Sequence, residues 1–168
     1  MAYTNSKLVS YKKISPHKTS PRNHKIDTIT IHCMAGNLSV ETCGNVFQTR
    51  QASSNYGIGS DGRIALYVDE KDRSWATSSS SNDNRAVTIE VASDNYAPYA
   101  VTDKAYKALI ELVTDICIRN DIKKLVWSTN KNDRVNHLNG CNMTVHRDYS
   151  NKACPGEYLY SHMGDIAN

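Results

Sequence analysis

The chain has 168 residues, 39% of them apolar and 22% charged, with a formal charge of +3. That length suits one domain with its own core. The mild charge lacks the strong basic patch of a nucleic-acid binder, and no apolar run reaches the ~20 residues needed to cross a bilayer. Neither nucleic acid nor membrane insertion is therefore expected.

Residues 1–25 are polar and broken by Pro16 and Pro21. They read as an extended arm wrapping the domain, with a short strand around Leu8-Val9. The opening Met1-Ala-Tyr-Thr-Asn-Ser-Lys7 lacks the apolar core of a secretion signal, so export by that route is not expected. His17 and His24 read as solvated loop histidines. Ile26–His32 alternates and is β-branched, which predicts a central strand with Ile29 and Ile31 on one face and Thr28, Thr30 and His32 on the other. Ser39 is placed to cap a helix over Val40–Arg50. Thr42 stands where a capping box would need Glu.

Asn55–Gly59 and Ile64–Val68 predict a hairpin closed by Asp61-Gly62. Gly57 and Gly59 imply close approach by other backbone or side chains. Tyr56 shares a face with Ile58 and reads equally well as an amphipathic core-edge residue or a functional one. Asp69–Arg85 is polar and serine-rich and reads as a long surface loop. Trp75 within it either anchors that loop or walls a groove. Ala86–Ala92 predicts a second central strand carrying Glu90, a carboxylate that is costly there unless paired or near a cation.

Thr102 or Asp103 caps an amphipathic helix over Lys104–Asn120, with Ala105, Leu109, Leu112, Val113 and Ile116 at helical spacing. Leu125–Trp127 reads as a short strand or turn, and Asn130–Asn142 as a loop containing His137. Thr144-Val145 then predicts a strand ending at His146. A polar loop, Arg147–Asn151, leads to Cys154-Pro155-Gly156 and a final helix over Glu157–Ala167. Pro155 is expected as the first helical residue, with Cys154 near the N-cap, where the helix dipole favours a thiolate.

The five cysteines (33, 43, 117, 141 and 154) are odd in number and irregularly spaced, which argues for a reducing compartment rather than a disulfide framework. Cys43 and Cys117 fall within helical patterns and read as small buried hydrophobes. Cys33 and Cys141 each neighbour a candidate site. Imidazole and thiolate both suit a borderline-soft cation such as zinc. His146 and Cys154 alone match no general zinc spacing, but His32 supplies a second strand-end imidazole. Three protein ligands with one position open is the catalytic arrangement.

Five blocks occur in an order that resembles the zinc N-acetylmuramoyl-L-alanine amidases of the type-2 amidase and peptidoglycan-recognition-protein family, above all phage endolysin catalytic domains. They are Ile29–His32, Ser54–Gly62, Arg73–Thr77, Val87–Glu90 and Val145–Gly156. The resemblance implies an α/β fold, a mixed central sheet flanked by helices, with zinc in a groove at one edge. It assigns His32, His146 and Cys154 as metal ligands, Glu90, Lys152 and Tyr56 as catalytic, and Trp75 and Thr77 as substrate-binding. Many members carry a histidine where Thr77 stands. The implied reaction is attack by a zinc-activated water on the lactyl carbonyl joining N-acetylmuramic acid to L-alanine in bacterial peptidoglycan. Glu90 would carry the proton to the leaving amine, and Lys152 and Tyr56 would stabilise the oxyanion. Residues 1–168 would form one catalytic domain, with any wall-binding domain beyond Asn168. The protein would be made in the host cytoplasm and act on the wall after release. Two rival readings are a binding-only peptidoglycan module and a thiol peptidase using Cys154.

Overall fold

The two alternating β-branched runs pair with each other at the centre of a sheet. In the computed structural model, which describes residues 3–168, the strands are β1 (Tyr11–Lys12), β2 (Lys18–Thr19), β3 (Thr28–Cys33), β4 (Tyr56–Ile58), β5 (Ile64–Leu66), β6 (Arg73–Ser74), β7 (Ala86–Val91) and β8 (Met143–Val145). The helices are α1 (Val40–Thr49), α2 (Ser80–Arg85), α3 (Asp103–Arg119), α4 (Lys131–Val135) and α5 (Gly156–Ala167). Six strands form one sheet in the order β1-β5-β4-β7-β3-β8, and β2 pairs with β6 beside it. Strands β4, β7, β3 and β8 run parallel, whereas β5 is antiparallel to β4, so the sheet is mixed as expected.

Register decides which side chains share a face. Ile31 pairs with Ile89 and Ile89 with Tyr56, while His32 pairs with Glu90 and Glu90 with Gly57. Because side chains alternate along a strand, the first set and the second point to opposite sides. The Ile31 side packs under α3 and α5 through Leu109, Leu112, Ile116, Leu159 and Met163, all buried. The His32 side is covered by α1 and α2. There Val40, Cys43 and Phe47 pack on Ala65 and Tyr67. The Tyr67 ring lies directly over Gly57, where a Cβ would come within 2.4 Å of it. The close approach expected at Gly57 is therefore real.

Further down the His32 side, the sheet is polar and satisfied. Thr30 and Thr144 hydroxyls bond at 2.7 Å, and Asn82 bridges both at 3.0 Å. The Ser74 and Thr88 hydroxyls meet at 2.7 Å. Buried groups of this kind are tolerated because each has a partner. Ser39 caps α1 and Thr102 caps α3, each accepting a backbone N–H at 3.1 Å.

Several elements differ from expectation. The arm pairs through β1 and β2 rather than Leu8-Val9. Asp69–Arg85 is not a surface loop: it contains β6 and α2, and Glu70, Asp72, Ser74, Thr77 and Asn82 are buried. Asp72 turns inward to the arm, accepting from Lys18 and Ser20, while Ser74, Thr77 and Asn82 bond Thr88, Asp83 and Thr30. Arg22 is buried and donates to the carbonyls of Glu70, Asp72, Asn84 and Ala86 at 2.6–3.0 Å. Burial pulls its pKa down to about 10. Leu125–Trp127 forms no strand, although Val126 bonds through its main chain to Asn142. Asn130–Asn142 holds α4 and a 3-10 turn. Pro155 is the N-cap of α5, and Gly156, at φ +80°, is its first residue.

Glu70 ties arm, sheet and α3 together. It is buried, accepts from Arg119 at 2.7 Å and Asn120 at 3.0 Å, and bonds the Tyr56 hydroxyl. Glu70→Ala leaves a half-buried guanidinium and a buried phenol each short of one partner and should cost about 2 kcal/mol. A lowered urea midpoint at unchanged m checks this.

Candidate active site

Strands β7, β3 and β8 end at the same edge of the sheet, the carboxyl edge where α/β folds place ligands. His32 is the penultimate residue of β3, and His146 opens a 3-10 turn directly after β8. That turn is held from below. Asp148 accepts the Val145 N–H at 3.2 Å and a fork from buried Arg134 at 2.7 and 3.0 Å. The Arg134 guanidinium in turn lies 4.7 Å from the Trp127 ring and 5.4 Å from the Tyr160 ring. The Arg147 N–H bonds Cys154 O, and its guanidinium bonds Ala153 O, both at 2.9 Å. The polar loop is thereby folded back, which brings Cys154 to the two histidines. Cys33 N–H donates to the Cys154 Sγ at 3.2 Å.

One donor atom from each of His32, His146 and Cys154 lies within 4.8 Å of the others. His32 is fully buried, and neither of its ring nitrogens has a hydrogen-bond partner among the described residues. Burial, then the neighbouring His146, holds its imidazole well below the usual 6.5. Burial, then Lys152 and Arg50, lowers His146 as well. Both rings are thus kept neutral, the form a metal requires. Burial pushes the Cys154 thiol well above its usual range when no cation is beside it. Two neutral imidazoles and one sulfur form a borderline-soft donor set, and three donors leave one position open. The residues fit a zinc ion.

A cleft of about 260 Å3 opens over this cluster. Met34, Leu38 and Phe47 form its apolar wall, and Trp75, Glu90 and Lys152 its polar side. The Glu90 side chain keeps 17% of its surface exposed, with Oε1 3.7 Å from His32 Nδ1. Burial, then the charge of Cys33, pushes its carboxyl up to about 8, so it can hold or release a proton near neutrality. The Trp75 indole N–H bonds Thr19 Oγ1 at 3.0 Å, and its ring sits 5.7 Å from that of His17. A larger cleft lies at the opposite edge, between Tyr3, Lys25 and Lys124, and contains none of the predicted site residues.

The structure brings together His32, His146, Cys154, Glu90, Lys152 and Trp75. It does not bring in Tyr56 or Thr77. Tyr56 is fully buried on the other side of the sheet, because it pairs with Ile89 rather than Glu90, and its hydroxyl is used by Glu70 and the Ser6 N–H. Thr77 is fully buried too, its hydroxyl donating to Asp83 Oδ1 at 2.7 Å. Neither reaches the cleft, so the oxyanion role of Tyr56 and the substrate contact of Thr77 are withdrawn. Sequence reasoning missed the wall that α1 contributes and the Arg134–Asp148 support beneath His146. The first follows from the apolar face of α1. The second had no local signal, since Arg134 lies in a stretch read as loop.

The sequence family described as N-acetylmuramoyl-L-alanine amidase matches residues 22–157. No curated protein matches the chain. Among solved structures, the fold is similar to AmpD in its selenomethionine form (TM-score 0.72, 16% identity, covering 100% of both chains). It is also similar to the N-acetylmuramoyl-L-alanine amidase LysC from Clostridium intestinale URNW (TM-score 0.63, 17% identity, covering 94% of this chain and 93% of that one). A third likeness is the Ph2119 endolysin of Thermus scotoductus MAT2119 bacteriophage Ph2119 (TM-score 0.60, 14% identity, covering 89% and 90%).

Tyr56→Phe removes two buried hydrogen bonds outside the cleft. It should cost about 1 kcal/mol of stability and leave turnover unchanged, measured on the same preparation. In metal-free protein the depressed His32 pKa sets a pH dependence. Below 6.5 the unfolded chain takes up the His32 proton before the folded chain does. Stability should therefore fall as pH drops below 6.5 and be insensitive to this group above it. Thermal midpoints of the parent and His32→Gln across that range check the sign, the variant giving the flatter curve.

Proposed function

Since the chain belongs to the N-acetylmuramoyl-L-alanine amidase family, we propose that it cleaves the amide joining N-acetylmuramic acid to L-alanine in bacterial peptidoglycan with a zinc ion held by His32, His146 and Cys154. The observation that carries this reading is the three-donor cluster with Glu90 beside it in one cleft. A zinc ion there supplies the Lewis acidity that makes water nucleophilic near neutral pH.

The chain's own residues do the rest. Glu90 takes the proton of the attacking water and returns it to the nitrogen of the leaving L-alanine, a task suited to a carboxyl that titrates near neutrality. The carbonyl–nitrogen bond breaks, leaving a lactyl carboxylate and a free amine. Lys152 lies on the exposed loop that lines the cleft, and its cation faces the negative charge growing on the carbonyl oxygen. Trp75 and the α1 wall orient the substrate and limit bulk water.

The chain is read as one catalytic domain over residues 1–168. The described part of its arm belongs to that domain because Arg22 is buried within it. We further read it as a bacteriophage lysin made in the host cytoplasm and acting on the wall after release. Five free cysteines support a reducing compartment.

Dialysis against a chelator should abolish wall lysis, and added zinc should restore it. Lysis that survives metal removal would instead identify a thiol peptidase. Glu90→Gln should lower kcat by about 10²–10⁴-fold while zinc content stays that of the parent. Mass spectrometry of digested walls should find new L-alanine amino termini. New termini at any other residue would overturn the assignment of the bond.

A further inference from the structure

Cys33 shares the cleft with Cys154 but is outside the ligand set. It is the last residue of β3, directly after His32, and only 7% of it is exposed. Cys33 N–H reaches the Cys154 sulfur at 3.2 Å, and that sulfur is also 3.8 Å from Cys33 O. The Cys154 sulfur thus rests against the Cys33 main chain, and a disulfide closes from there once the Cys33 side chain turns to meet it. Cys33 is held by strand pairing to β7, and Cys154 follows a polar loop whose last residues, 151–153, are exposed. Both cysteines line an open cleft, so a small oxidant can reach them.

We propose that Cys33 and Cys154 form a reversible disulfide in the presence of a peroxide, and that this modification removes one sulfur from the metal-ligand set. One sulfur attacks the peroxide, the oxygen–oxygen bond breaks, and a sulfenic acid and one water result. The second sulfur then attacks the sulfenic sulfur, the sulfur–oxygen bond breaks, and a second water leaves. Two thiols and one peroxide thus give one disulfide and two waters. Two equivalents of an external thiol reverse it by exchange. A disulfide sulfur is no longer the thiolate that a metal needs. The cross-link would join residues 121 positions apart, so it removes the ligand while tightening the fold. The effect on the metal rests on the zinc reading above, whereas the cross-link itself does not.

The test treats the zinc-loaded protein with hydrogen peroxide. The intact mass should fall by that of two hydrogens, and peptide mapping should join Cys33 to Cys154. Zinc should appear in solution in step with the cross-link, read with a chromogenic chelator. A reducing thiol with added zinc should then restore the starting mass and metal content. Cys33→Ser and Cys33→Val should both release zinc at least about tenfold more slowly at the same peroxide concentration. Equal release from parent and variants would overturn the proposal. So would mapping that finds Cys154 carried to sulfinic or sulfonic acid with Cys33 still free. The mapping needs no variant, so it decides even if neither variant folds. If the protein binds no zinc, the metal reading fails on its own, and the mass measurement still decides whether the pair closes.

Discussion

A completely buried imidazole with both nitrogens unpartnered is the constraint around which this molecule is arranged. Such a group is unfavourable in a protein interior unless something bonds it. Here the fold supplies a second ring and a sulfur close to it. Placing them takes three separate devices: parallel pairing that ends β3 and β8 at one edge, the Arg134 fork that fixes the turn after β8, and the Arg147 contacts that fold the following loop back. None of these groups is itself a donor to the cluster. Each acts by removing freedom from residues that are.

The same sheet separates two chemistries by alternation. One residue of register divides the apolar packing under α3 and α5 from the face carrying His32 and Glu90. On that face the hydroxyl and amide layer of Thr30, Thr144 and Asn82 is satisfied internally, and the open ring nitrogens of His32 lie at the strand end. Glu90 differs from the buried carboxylates elsewhere. Glu70 and Asp148 have guanidinium partners. Glu90 faces a neutral ring with no guanidinium paired to it among the described residues, which is why burial makes it hold its proton up to about pH 8.

Much of this is legible in the amino-acid sequence alone. Alternation over Ile26–His32 and Ala86–Ala92 identifies the central strands, because a half-polar face must repeat every second residue. Strand-end position identifies His32 and His146. What failed did so for definite reasons. Tyr56 lies in the right strand but on the wrong parity, and parity relative to a neighbour depends on register, which no local pattern records. Thr77 sits next to the cleft wall in sequence yet turns inward to Asp83. The segment Asp69–Arg85 looks solvent-facing by composition. Its main chain bonds a partner some fifty residues away, Arg22, through carbonyls that any residue would supply.

That arm has a consequence for how the domain may be cut or joined. A boundary drawn at Ile26, where the alternating run begins, would seem conservative. It would discard Thr19, whose hydroxyl receives both the Trp75 indole and the Arg73 guanidinium, and Arg22, which gathers five carbonyls between Glu70 and Ala86. Trp75 would lose its tether and the cleft one side. Any chimera that grafts this hydrolase behind another module must therefore carry the arm along as part of the catalytic unit, with the splice ahead of it.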